Sequence, residues 1–310
     1  MNIRTRLKEN QFVYRLYLKY KFSKTIKICE ERKSLNIEEV KKIIEHDYYK
    51  RINESIDWEN PKKYTEIMQW KKLYSQDYRR TEYSDKILVR NYVKNVIGQE
   101  YLIPLIGKWA AFDDIDFDML PNSFVLKTNH GSGTNIIVKD KNRFDKKTAK
   151  ILVNGWMKTD FGYSHGFELH YSDITRMIFV EQYIETKGND LQDYKFLCFD
   201  GKAHFCWVDV DRNGDHRRNV YDLNWDLQPW GQVKKNTDNV IPKPENFELM
   251  ITLAEKLATG FSHVRVDLYN VDGKIYFGEM TFTNGSGYDL IYPRKYDLKL
   301  GELWKNFRED

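Results

Sequence analysis

Cysteine is scarce in this chain, with only Cys29, Cys198 and Cys206 among 310 residues. An odd number without paired ligand spacing excludes a disulfide framework and a thiolate metal site, and it fits a reducing compartment with three ordinary buried or half-buried thiols. The seven histidines form no HExxH-like cluster, so a zinc centre is not expected. Long apolar runs are missing too. Nothing approaches the roughly 18 uninterrupted apolar residues of a membrane span, and the N-terminus lacks the apolar stretch of a secretory signal, so a cytoplasmic location is expected. An excess of one charge is also absent. The 50 basic and 46 acidic residues leave a net +4, which is too balanced for a general nucleic-acid binder. Repeats and low-complexity tracts are lacking, and only GQVKKNTDNVIPKPEN (231–246) reads as linker.

What basic excess there is lies at the start. Arg4, Arg6, Lys8, Arg15, Lys19, Lys21, Lys24 and Lys27 stand against Glu9 alone, interleaved with aromatic and aliphatic residues. Residues 1–28 therefore fit either a basic amphipathic helix touching an anionic membrane or a solvated helix packed by one face. The length suits two lobes. Before about residue 120 the spacing is helical, as in LNIEEVKKIIEHDYYKRI (35–52) and YSDKILVRNYVKNVI (83–97). From Phe124 onward short runs of period two dominate: FVLKT, MIFVEQYI, YKFLCF, AHFCWVDV, HVRVDLY and KIYFGEMTF. These predict antiparallel sheet, interrupted by helices near Lys146–Lys158 and Glu245–Gly260.

Two stretches carry candidate chemistry. FVLKTNHGSGTN runs a strand and Lys127 into a loop with Gly131 and Gly133, which reads as a phosphate cradle or as a plain turn. HVRVDLYNVDGKIYFGEMTF reads as a hairpin. A two-residue Val271-Asp272 loop would turn Glu279 away from Asp267. A three-residue loop through Gly273, with that glycine left-handed, would place Arg265 opposite Glu279 and Asp267 opposite Phe277. The second register puts one arginine and two carboxylates on one surface, either as a cation site of hard oxygens or as a cross-strand ion pair.

The order of these segments resembles the ATP-grasp superfamily, and in particular its TupA-like branch associated with bacterial polysaccharide biosynthesis. SDKILVRNYV, IGQEYLIPLIG, LPNSFVLKTNHGSG, DYKFLCFDGKAHF and RVDLY followed by GKIYFGEMTFTNGSG carry the likeness, over about two-thirds of the chain. The resemblance implies an α+β ATP-grasp fold. Two lobes with antiparallel sheets would clasp a nucleotide, with a helical region over 1–80, an N-terminal lobe over 81–180 and a C-terminal lobe over 181–310.

It also implies roles for single residues. Lys86 and Lys127 would meet ATP phosphates beneath the loop of Gly131, Ser132 and Gly133. Glu181, Gln182, Tyr183 and Ile184 would flank adenine, and Asp193 would take the ribose. Lys195 would point at the cleft, Arg265 would meet the transferred phosphoryl group, and Asp267, Glu279 and Thr281 would hold Mg2+. Thr281 stands where many members have asparagine, with Asn284 as an alternative ligand. The implied activity joins a carboxylate to an amine through an acyl phosphate. The expected partners are a uronic-acid-type acceptor and an amine, in the cytoplasm, with peripheral membrane contact through residues 1–28.

Two other classes fit some of the residues. A glycosyltransferase would use an Asp-x-Asp, offered at Asp209/Asp211, Asp114/Asp116 and Asp116/Asp118. A non-catalytic module would keep a degenerate nucleotide cleft.

Overall fold

The structure, a computed structural model, describes residues 10–75, 77–186, 191–210, 217–233, 236–237 and 241–309. The chain begins with helices α1 (Gln11–Lys33), α2 (Ile37–Ile52), α3 (Tyr64–Tyr74), α4 (Arg79–Ser84) and α5 (Val89–Val96). Strands β1 (Leu105–Trp109), β2 (Phe124–Thr128) and β3 (Asn135–Val138) follow, then α6 (Lys146–Lys158), α7 (Phe161–Ser164) and β4 (Ile178–Gln182). The remainder is β5 (Asp193–Phe199), β6 (Lys202–Val210), β7 (Arg217–Tyr221), β8 (Gly231–Gln232), α8 (Phe247–Ala258), β9 (His263–Val271), β10 (Lys274–Thr281), β11 (Ile291–Tyr292) and α9 (Lys295–Leu303).

The described parts of Met1–Asn36, Asp85–Ile87 and Pro104–Tyr183 form one compact unit. Its antiparallel sheet runs in the order β1-β4-β2-β3. In β2 the alternation is clean: Phe124, Leu126 and Thr128 are buried, while Val125 and Lys127 are partly exposed. Phe124 and Leu126 join Ile178, Val180 and Val153 in one core, so helix α6 covers that face. Asp145 starts α6 by accepting from the Thr148 amide at 3.0 Å. Helix α1 docks on α6 so closely that a Cβ on Gly155 would lie 2.4 Å from the Phe22 ring. Arg15 adds an ion pair to Asp145 at 2.9 Å. One face of α1 is thus packed, and Phe12, Leu16 and Tyr20 form an exposed row at spacing four. Arg4, Arg6 and Lys8 lie outside the described residues.

The second unit comprises Ile37–Ser84, Leu88–Ile103 and the described parts of Ile184–Asp310. Its antiparallel sheet has the order β10-β9-β5-β6-β7. Every residue of β5 is buried, because both faces are covered. Tyr194, Phe196 and Cys198 face a core shared with Val264, Val266, Leu268 and helix α8. On the other face Leu197, Phe199, Phe205 and Trp207 pack with Tyr64 of α3 and Trp304 just past α9. That second face turns polar toward Asp193, Lys195 and Asp267.

The helices expected at 35–52 and 146–158 are present as α2 and α6. The stretch 83–97 is not one helix: it breaks between Ser84 and Val89. Asp85 accepts from the Ile87 amide at 2.7 Å and from Asn129 Nδ2 at 2.8 Å, which favours a turn over a continuous helix. The short strands β1, β3 and β7 were not apparent from period two alone. No helix among the described residues is long and apolar enough to cross a membrane.

Candidate active site

In the first unit, β2 carries Lys127 into the glycine loop. Gly131 and Gly133 both adopt positive φ, at 75° and 69°, where a side chain is disfavoured. At Gly131 a Cβ would also strike the Phe161 ring at 2.5 Å, whereas Gly133 faces open space. Ser132 and Gly133 are exposed at the tip. Lys86 sits on the turn between α4 and α5, held by its amide to the Asn129 carbonyl at 3.0 Å, and its Nζ donates to the Gly131 carbonyl at 2.6 Å. Lys127 Nζ donates to Glu181 Oε2 at 2.7 Å. The β2/β4 register makes these two diagonal neighbours, since Lys127 lies opposite Phe179 and Val125 opposite Glu181. Both expected phosphate lysines and the loop therefore share one unit. Glu181 and Gln182 end β4, and Tyr183 and Ile184 follow it, out of the strand.

In the second unit, the hairpin departs from the expected register. Val271 lies opposite Lys274, which leaves a two-residue Asp272-Gly273 turn with both φ values positive, at 50° and 81°. The left-handed Gly273 is as expected, but the odd-length loop is not. A bulge at Gly278 intervenes: Phe277 lies opposite Leu268, and Glu279 lies opposite Asp267. Thr281, not Glu279, faces Arg265. Phe277 is a core residue and never shares the polar face with Asp267. The extra residue reverses the facing of everything after it, so Glu279 and Thr281 leave the side that Phe277 occupies. Gly278 suits the position because a Cβ there would meet the Asp267 carbonyl at 3.0 Å and the Tyr269 ring at 3.3 Å.

The bulge assembles a buried ionic cluster around Arg265. Its Nε donates to Asp267 Oδ1 at 2.6 Å and its Nη2 to Asp267 Oδ2 at 2.6 Å. The same Nη2 reaches Glu279 Oε1 and Thr281 Oγ1, each at 3.0 Å. Lys195 stands opposite Asp267 on β5 and donates to Asp267 Oδ2 at 2.7 Å and to Asp193 Oδ2 at 2.5 Å. Burial works against the charge on Arg265, but Asp267 and Glu279 outweigh it and hold the guanidinium above its ordinary value. Burial likewise pushes the Asp267 carboxyl upward, against the pull of Arg265 and Lys195.

A relay that the sequence did not reveal holds the far side of Arg265. Its Nη1 donates to Asn284 Oδ1 at 2.9 Å, and Asn284 Nδ2 donates to the Tyr64 hydroxyl. Tyr64 lies 2.8 Å from His263 Nε2, and His263 Nδ1 lies 2.7 Å from the Cys198 carbonyl. A carbonyl only accepts, so Nδ1 carries the proton and Nε2 accepts from Tyr64. Burial drives the Tyr64 hydroxyl well above its ordinary range, which keeps it a neutral donor. Asn284 thus orients Arg265, and like Thr281 it presents a side-chain oxygen to the guanidinium. Replacing Tyr64 with phenylalanine removes both a donor and an acceptor from this relay. It should cost about 1–3 kcal/mol of stability and lower turnover more than ATP affinity. Steady-state kinetics beside nucleotide titration checks this, and unchanged turnover would remove the relay from the active apparatus.

The Asp-x-Asp candidates fall only partly within the described residues. Asp209 is engaged by Arg218 at 2.6 and 3.1 Å, and Asp211 lies outside the described residues. Asp114, Asp116 and Asp118 sit exposed at or after a short 3-10 turn. Cys29, Cys198 and Cys206 are free and buried, as expected.

A family profile described as TupA-like ATPgrasp matches residues 66–305. No curated protein matches the chain. Among solved structures it is similar to D-alanine–D-alanine ligase from Bacillus anthracis, at 17% identity and a TM-score of 0.39 over 74% of this chain and 69% of that one. It is similar to the ATP-grasp ligase PsnB complexed with minimal precursor, Mg and ADP, at 10% identity and a TM-score of 0.40 over 78% of this chain and 65% of that one. The D-cycloserine synthetase DcsG is matched at 15% identity and a TM-score of 0.40, over 74% of this chain and 71% of that one.

Proposed function

The chain belongs to the TupA-like ATP-grasp family and is an ATP-grasp ligase, and from that premise we propose that it uses ATP and Mg2+ to join a carboxylate to an amine through an acyl phosphate. The observation that carries this reading is the sheet face on which buried Lys195, Arg265 and Asp267 meet half-buried Glu279 and Thr281. A single nitrogen, Arg265 Nη2, lies within 3.0 Å of oxygens from Asp267, Glu279 and Thr281, so these hard donors already meet around positive charge. Such a donor set suits magnesium, which would be held by Asp267, Glu279 and Thr281 and would screen phosphate charge when bound.

The remaining roles belong to the chain's own groups. Lys86, Lys127 and the amides of Gly131, Ser132 and Gly133 meet the phosphates in this reading. Glu181, Gln182, Tyr183 and Ile184 flank adenine, and Asp193 takes the ribose. Lys195 and Arg265 face charge that grows on the transferred phosphoryl group and on the acyl oxygen. Lys86 and Lys127 are engaged by the Gly131 carbonyl and by Glu181 in this structure, so a nucleotide would replace protein oxygens with phosphate oxygens at both.

The acceptor carboxylate is proposed to be that of a uronic-acid-type sugar in surface polysaccharide biosynthesis, and the amine an amino acid or similar compound. Support for that last step is the association of the family branch with such polymers. Incubation with ATP, Mg2+, sugar acids and amino acids tests it. ADP release that depends on both organic substrates is expected, and UDP release from a UDP-sugar in its place would overturn it. The exposed row Phe12, Leu16 and Tyr20, beside exposed Lys19, Lys24 and Lys27, also supports peripheral contact with an anionic membrane face. Salt-sensitive sedimentation with anionic vesicles is the expected result, and equal sedimentation with neutral vesicles would count against it.

A further inference from the structure

A cavity of about 500 Å³ opens within the first unit, between helix α1, the glycine loop, α6 and α7. Its size lies in the range of small-molecule sites, roughly 300–1,000 Å³. Its walls combine two kinds of surface. Tyr14, Tyr17, Trp156 and Phe161 supply aromatic faces, while Ser132 supplies an exposed hydroxyl, and Thr25, Thr134 and Ser164, whose protons go to the Lys21, His130 and Phe161 carbonyls, can still accept.

One buried group there has a definite chemical demand. His130 is only 2% exposed, and its Nε2 lies 3.1 Å from the Trp156 carbonyl, so Nε2 carries the proton. Nδ1 is then a lone-pair acceptor, and it finds no partner among the described residues. Burial holds the imidazole down to about 4, so it stays neutral through the physiological range. A neutral buried acceptor asks for an O–H or N–H from outside, because leaving it unmet is costly. At the rim Lys21 is exposed and makes no ion pair among the described residues.

A flat apolar ligand would satisfy the rings and leave His130 unmet. A free phosphate would do the reverse. A saturated ring with C–H faces and hydroxyl edges meets both, and an acid group on it meets Lys21. We propose that this cavity is a carbohydrate subsite, taking one pyranose ring of the acceptor that carries a carboxylate, stacked on Tyr17 and Trp156 with a hydroxyl donated to His130 and the carboxylate at Lys21. The assignment rests on the ligase reading for the word acceptor, but the binding itself does not need ATP.

Titration calorimetry of the full chain with methyl glucuronide and methyl glucoside, without nucleotide, tests it. The glucuronide binds and the glucoside binds more weakly. Lys21→Gln lowers glucuronide affinity up to about fivefold and leaves the glucoside unchanged. Tyr17→Ala lowers both about tenfold. Lys21 is exposed and Tyr17 only half-buried, so thermal melts should confirm that both variants fold. Equal affinity of wild type and both variants for the glucuronide would overturn the subsite, as would its displacement by a non-hydrolysable ATP analogue, which would assign the cavity to nucleotide. Substrate-dependent ADP release with an unchanged KM for the sugar acid in both variants would overturn the subsite and leave the ligase reading standing. Variant-sensitive sugar binding without any ADP release would leave the subsite and remove the ligase.

Discussion

Asp267→Asn should abolish magnesium-dependent turnover while leaving a folded protein. The carboxylate receives two bonds from Arg265 and one from Lys195, and it stands directly opposite Glu279. An amide keeps the shape and loses the charge that would hold a divalent cation, a loss of several kcal/mol of transition-state stabilisation and hence about a thousandfold or more in rate. Both Asp267→Asn and Asp267→Ala strand buried cations and should destabilise the fold by about 3–5 kcal/mol, the alanine somewhat more because it also loses the remaining acceptor and leaves a void. The asparagine variant keeps the shape of the site, so a loss of kcat measured well below its unfolding midpoint reports on catalysis. Measurement of kcat and of the unfolding midpoint in both variants decides it. An asparagine enzyme working within a few-fold of wild type would remove Asp267 from the metal role.

Gly278→Val should be nearly as damaging, although Gly278 itself carries no functional group. A Cβ there meets the Asp267 carbonyl and the Tyr269 ring, and a β-branched residue favours the regular ladder over the bulge. A regular ladder through Gly278 would return Glu279 to the side of Phe277, inside the core, which is ruinous for a carboxylate. Overpacking alone costs about 1–3 kcal/mol, and turnover should fall at least about a hundredfold once Glu279 leaves the cluster. Deleting Gly278 is the informative companion. Without the extra residue a regular ladder keeps Glu279 opposite Asp267, so the deletion should retain more activity than the valine. If the valine variant retained wild-type turnover, the bulge would not be what orients the carboxylate.

That bulge also marks the boundary of what could be read from the letters. Antiparallel strands and the shared face of Arg265 and Asp267 are legible, because alternation of apolar and polar residues is imposed by the pleat itself; the facing of Glu279 is not, because it hung on a loop length that the structure replaces with a bulge. The partners were not, because a ladder was assumed to be regular. Yet the signal was present: Ile275 and Phe277 are apolar at odd positions, Met280 and Phe282 at even ones, and a glycine lies between the two parities. Lys86, Lys127 and the glycine loop were found together, while Tyr64 and His263 were not. Tyr64 lies 199 residues from the histidine it bonds, and each alone looks like an ordinary core aromatic. No local pattern encodes a relay whose links come from distant segments. The carboxylate at Asp209 was noticed only as half of a sugar-nucleotide motif, and its real partner, Arg218, became visible only once β6 and β7 were paired.

The three thiols give each unit its own reporter. Cys29 belongs to the first unit, and Cys198 and Cys206 belong to the second. Burial raises the pKa of all three, so in the native protein they are poorly accessible and held as the unreactive thiol form. A brief pulse of an alkylating reagent therefore labels only molecules in which the surrounding structure has opened. Mass analysis of the peptides that carry Cys29 and of those that carry Cys198 or Cys206 then reads two opening equilibria from one sample, without any engineered probe. Added ATP, Mg2+ or sugar acid would register as protection of the unit that binds it, so these residues can localise ligand effects that a single melting curve would average.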